Sequence, residues 1–167
     1  MSRMATRLRT ISFATLLGLF ATHAFAQSPA EFINDASAKG MADIEASRLA
    51  HQKTESKEVK DYTIVVINDR TTANQHLAKI AKQLDLPVAP REVVVDKAKA
   101  LMPEVQDGAS FDQAYAASQV KTTEEAIQQL QQQAQSTQVP EIKAFAEETL
   151  PKLQNHLQMA RALQASR

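Results

Sequence analysis

The chain has 167 residues with 19 basic and 19 acidic side chains, no cysteine and only three glycines. An evenly mixed surface of this kind lacks the concentrated basic face that nucleic acid selects. Without cysteine there can be no disulfide, thiolate nucleophile or lipid-modified cysteine, and the scarcity of glycine and aromatics beside abundant alanine and glutamine favours helix.

Residues 1–26 read as a signal peptide. Arg3, Arg7 and Arg9 make a basic start, and "ISFATLLGLFA" is an apolar run shorter than the ~20 residues of a membrane span. Ala24-Phe25-Ala26 then places small residues where a signal peptidase reads. The expected mature chain begins at Gln27, is periplasmic, and carries no membrane span after cleavage. Its 141 residues suffice for one domain with its own core. Without the three leader arginines, 16 basic residues face 19 acidic ones, a net charge of −3.

Ser28-Pro29-Ala30-Glu31 is a capping box with proline at the first helical position, opening a helix to about Lys53. Its expected apolar face is Phe32, Ile33, Ala36, Met41, Ala42, Ile44 and Leu49. "TES" ends it, and Ser56 caps a second helix running to about Leu84. So short a turn makes the pair antiparallel. Residues 85–109 hold Pro87, Pro90, Pro103 and Gly108, with room for one short helix near Val93 to Leu101. A link this long is uncommon in a compact domain unless it crosses something. Ser110-Phe111-Asp112-Gln113 opens a third long helix to about Gln135, and Pro140 opens a fourth to about Ala165. The seven glutamines between Gln128 and Gln138 read as a solvated face, or as a self-association surface. The expected fold is all-α: a ferritin-like four-helix bundle over 27–167, built of two antiparallel hairpins joined by a long crossover with a short helix.

Each apolar stripe has a polar interruption. The second helix steps through Val59, Tyr62, Val66, Arg70, Ala73, Leu77, Ile80 and Leu84, with Asp69 beside the arginine. The first gives Ala38, Ala42, Glu45 and Leu49. The third encloses Thr123 between Val120 and Ile127, and the fourth encloses His156 between Leu153 and Ala160. Glu45 and His156 lie some 14 Å before their helix ends, and Arg70 and Thr123 roughly 18–20 Å after their starts. In the crossover topology these heights agree within about one turn, ~5.4 Å. A mid-bundle cluster of Glu45, Asp69, Arg70, Thr123 and His156 is therefore expected as a candidate ligand-binding site, with Arg70 paired to Glu45 or Asp69. His51 and His76 are expected on the solvent side. Pro151 removes a helical hydrogen bond and should kink the fourth helix just before His156.

From Ser28 to Leu163 the chain resembles the domain-of-unknown-function 4142 family of exported bacterial proteins. The resemblance is carried by "FINDASAKGMADIEASRLA", "VKDYTIVVINDRTTANQHL", "FDQAYAASQVKTTEEAI" and "FAEETLPKLQNHLQMARAL". It implies a ferritin-like fold, a glutamate at Glu45, an aspartate at Asp69 and the Leu150-Pro151, Leu153, His156-Leu157 pattern. It also implies histidines at two positions that here hold Arg70 and Thr123.

Metal chemistry finds few ligands. A di-iron carboxylate bundle uses Glu-x-x-His on two helices, and the sequence has no such motif. The seam offers Glu45, Asp69 and His156 at most, and a guanidinium cannot ligate a cation. Nor is there a serine elbow, a thiol or a glycine-rich phosphate loop. The expectation is a non-enzymatic exported bundle without cofactor, binding a protein partner or a small ligand, or acting in envelope stress. The alternative is a metal-binding or oxidoreductase-like protein using Glu45, Asp69 and His156.

Overall fold

The computed structural model describes residues 27–101 and 111–166. Among them are five helices and no strand: α1 (Pro29–Lys53), α2 (Lys57–Gln83), α3 (Arg91–Leu101), α4 (Phe111–Ser136) and α5 (Pro140–Ala165). The signal-peptide expectation lies outside the described residues, as does Ser110 of the second capping box.

The helix starts follow from their caps. At α1 the Ser28 hydroxyl accepts from the Glu31 amide, and the Glu31 carboxylate accepts from the Ser28 amide at 3.0 Å. At α2 the Ser56 hydroxyl accepts from the Val59 amide. Proline opens α1 and α5, where its missing N–H removes nothing the helix would use. The end of α2 is a Schellman turn: Leu86 donates to the Ala81 carbonyl and Asp85 to that of Lys82. Asp85 sits at φ 49°, the left-handed region that short polar side chains tolerate better than most.

Contacts across the helices define the topology. Asp43 meets Arg70 and His51 meets Thr63, so α1 and α2 are antiparallel. Glu124 meets Arg161, Leu130 shares a core with Ile142 and Tyr115 shares one with Leu163, so α4 and α5 are antiparallel as well. Lys39 reaches Gln129 and Ser47 reaches Tyr115, so α1 faces α4. Asp69 and Tyr62 meet His156, so α2 faces α5. The two hairpins therefore lie side by side with α2 and α4 running the same way, which requires the chain to return along the bundle between them. This is the ferritin-like arrangement. The returning α3 packs on α1. It is held there by Asn34, which accepts from the Ala89 amide at 2.9 Å, and by a Lys97–Asp35 ion pair.

The apolar core is in two pieces. One holds Phe32, Leu77, Ile80, Leu130, Ile142 and Phe145, where α1 and α5 begin and α2 and α4 end. The other holds Ala50, Val59, Tyr62, Tyr115, Ala116 and Leu163 at the opposite end. A polar layer lies between them. Of the glutamine run, Gln133 is buried and Gln129 half-buried, while the other five are solvated. No helix among the described residues is long and apolar enough to cross a membrane.

Candidate functional site

The polar layer is built from all four long helices. On α2 the stripe that contains Arg70 faces inward as its spacing requires, with Val59, Tyr62, Val66, Leu77 and Ile80 buried around it. The guanidinium is therefore carried into the interior, 7 % exposed. Its partner is Asp43 of α1: Arg70 Nη2 stands 2.6 Å from Asp43 Oδ2, and both side chains are more than nine-tenths buried. Two opposite charges at that separation in a site poor in water attract strongly, and each offsets the desolvation of the other.

Across the bundle, His156 of α5 is 1 % exposed, and its Nε2 lies 2.8 Å from Asp69 Oδ2. The carboxylate can only accept, so the neutral ring carries its proton on Nε2. Tyr62 stands edge-on to both His156 and Tyr115, with ring centroids 6.5 Å and 6.1 Å away. Its hydroxyl donates to Gln119 Oε1 at 3.3 Å and is also hydrogen-bonded to Thr123. Tyr115 pairs with the buried Ser47 hydroxyl at 2.8 Å. Burial raises both phenols well above their ordinary value, so they act as hydrogen-bonding groups and not as acids.

Four of the five expected site residues, Asp69, Arg70, Thr123 and His156, meet in or at the edge of this layer. Glu45 does not. Its side chain is half exposed and bonded to Arg48 at 2.5 Å, on the groove between α1 and α3 that Met41, Leu49 and Val95 also line. The expected pairing of Arg70 with Glu45 or Asp69 is replaced by Asp43, and Asp69 belongs to His156. Glu45 lies with Met41 and Leu49 on the α3 side, and the row that faces the bundle is Ile33, Ala36, Gly40, Asp43, Ser47 and Ala50. That row of small residues interrupted by one acid is the signal that could have found Asp43. Gly40 marks the closest approach, since a Cβ there would stand 2.4 Å from Asn74 Oδ1.

Tyr62, Tyr115, Gln119 and Ser47 were also missed as polar members of the layer. His51 is not simply solvent-side: its Nδ1 reaches the buried Thr63 hydroxyl at 2.8 Å. His76 is half-buried against the Phe145 ring. Pro151 lies within α5 with its ring exposed.

The sequence matches the family model described as a domain of unknown function, DUF4142, over residues 16–163. The chain belongs to this family. No curated protein and no solved structure matches it.

For a DUF4142 chain, the two positions where the family resemblance implies histidine hold a buried guanidinium committed to Asp43 and a threonine bonded to Tyr62. Among the described residues no three carboxylate or histidine side chains converge to hold a metal ion. Glu45, Asp69 and His156 in particular do not converge, because Glu45 is turned to the α3 groove.

His156 makes the layer sensitive to acid. Burial pushes its imidazole below the ordinary value of 6.5, and the Arg70 charge adds to this, against the Asp69 hydrogen bond. Protons then bind the unfolded chain more readily than the folded one. The stabilisation is complete above about pH 6.5 and is lost as pH falls from there through the folded-state value. Thermal melts between pH 7.5 and 5 should show a falling Tm, with a shallower slope in His156→Gln. Equal slopes would show that another group causes the fall.

Proposed function

We propose that this DUF4142 protein is an exported, non-enzymatic helical-bundle protein of the bacterial envelope that works by binding or in envelope stress. In this reading the mid-bundle layer is a fixed, internally paired structure, not a metal or redox centre. The observation that carries it is the Arg70–Asp43 pair. A buried guanidinium that is always charged occupies the seam and engages Asp43, and it has no lone pair to offer a cation. The remaining acid–base pair, Asp69 with His156, has no nucleophile in its company, and the tyrosines beside it are held protonated. Export is supported by the basic and apolar character of residues 1–26, and binding by the absence of any recognisable reacting group in the sequence.

One preparation tests the reading. The protein is expressed from its full-length gene, recovered from the periplasmic fraction without a metal-affinity tag, and analysed by intact mass and by metal content. The expected result is a chain beginning at Gln27 that carries less than a tenth of an equivalent of any transition metal, with a Tm indifferent to added Mn, Fe, Cu or Zn. Stoichiometric metal that is lost in His156→Ala would overturn the structural reading of the layer. Retention of the full-length chain in the cytoplasm would overturn export.

A further inference from the structure

Beside the polar layer, towards the Phe145 end, lies a cavity of about 30 Å³ bounded by all four long helices. Its polar lining is Lys39, Arg70, Asn74, Gln129 and Thr149, and the rest is apolar side chains and Gly40. No carboxylate lines it.

The charges around it do not cancel. Arg70 is neutralised by Asp43 through Nη2. Its Nε–H is buried and has no acceptor among the described residues. A buried donor left without a partner is costly, more so on a charged group. Lys39 brings a second positive charge from α1, and its ammonium donates to the neutral Gln129 Oε1 at 3.0 Å. Of the two acids four residues away on the same helix, Asp35 is engaged by Lys97 and Gln27 and Asp43 by Arg70. Arg70, Lys39 and Asp43 together leave one positive charge at the cavity.

Size limits the occupant. A cavity needs roughly 10–15 Å³ to hold one water, and an apolar one of about 150 Å³ takes benzene. About 30 Å³ suits a single small ion and excludes a sugar, an amino acid or a nucleotide. On the side between α1 and α4, Lys39 donates to Gln129, which in turn donates to Gln27.

We infer that this cavity binds one small monovalent anion of about the size of chloride, held by the Arg70 Nε–H and the Lys39 ammonium with the Thr149 hydroxyl as a neutral donor. The site rests on the Arg70–Asp43 geometry of the preceding reading and adds its ligand class. Binding there ties α1 to α2 and α5, so occupancy stabilises the fold by mass action.

The test is thermal melting of the purified protein in sodium chloride or bromide against sodium gluconate at equal ionic strength, gluconate being too large to enter. Chloride and bromide should raise Tm saturably over gluconate. Lys39→Gln should abolish that rise, read as the difference between chloride and gluconate melts of the same variant. A crystal grown in bromide should show an anomalous peak at the Arg70 Nε. Identical melts in all three salts, or a rise that Lys39→Gln retains, would overturn the site and leave a water as the cavity's occupant. That failure is separate from failure of the structural reading, which stoichiometric metal would show.

Discussion

Asp43→Ala is expected to destabilise the protein by about 3–5 kcal/mol, because it strands the Arg70 guanidinium, buried and charged, without its counter-ion. For a domain of this size that is a fall in Tm of roughly 10 °C or more. Glu45→Ala, two residues along the same helix, removes only an exposed i,i+3 pair with Arg48. Its effect should stay within about 0.5 kcal/mol. The contrast matters because Glu45 is the acid that the family pattern and the Ala38–Ala42–Leu49 row both select. Replacing both partners, Arg70→Met with Asp43→Leu, should recover most of the loss, since an apolar pair of similar volume needs no counter-ion. Urea denaturation of the three variants beside the parent protein gives the comparison directly. Similar losses at positions 43 and 45 would mean that the Arg70 charge is not buried against Asp43.

Tyr62→Ala should cost about 3–5 kcal/mol, the range for emptying an aromatic site in a core. Tyr62 is 1 % exposed and joins three helices, touching Tyr115 of α4 and His156 of α5 from its own place on α2. Its removal opens a void where the polar layer meets the second apolar core, and the surrounding rings are too stiff to close it. Tyr62→Phe separates the ring from the hydroxyl. It keeps the packing but leaves Gln119 Oε1, 2 % exposed as a residue, without its donor. A buried acceptor left unpaired costs about 1–3 kcal/mol. Equilibrium denaturation of the two variants, followed by far-ultraviolet circular dichroism, gives the comparison. A Phe variant as unstable as the Ala variant would place the stabilisation in the hydrogen bond and not in the ring.

The polar layer also explains why the core is divided. Apolar residues at both ends give the bundle its stability, while the charged pairs between them fit only one register of α1 against α2 and of α2 against α5. Slipping either helix by a turn, about 5.4 Å, would separate Asp43 from Arg70 or Asp69 from His156. The layer thus penalises alternative registers that the apolar ends alone would tolerate. The family assignment adds the frame in which Arg70 and Thr123 stand out.

The helix boundaries and two of the four buried faces were legible from local chemistry and spacing. Ser28, Ser56 and Pro140 mark helix starts by chemistry local to a few residues, and each helix begins there. On α2 and α5 the three- and four-residue spacing named the buried rows, Arg70 and His156 included, because these helices turn one broad face to the interior. On α4 the buried face is rotated towards Tyr115, Gln119, Ala126 and Gln133, so its glutamines are not all solvated. A buried glutamine is legible only when its partner is known, and the partner of Gln119 is the hydroxyl of Tyr62, 57 residues away. On α1 the tertiary structure decided everything about the site. That helix packs against the bundle on one side and against α3 on another, so it carries two rows of small and apolar residues. Periodicity identifies both rows and cannot rank them. Only the position of the returning crossover assigns Glu45 to the outer groove and Asp43 to the arginine.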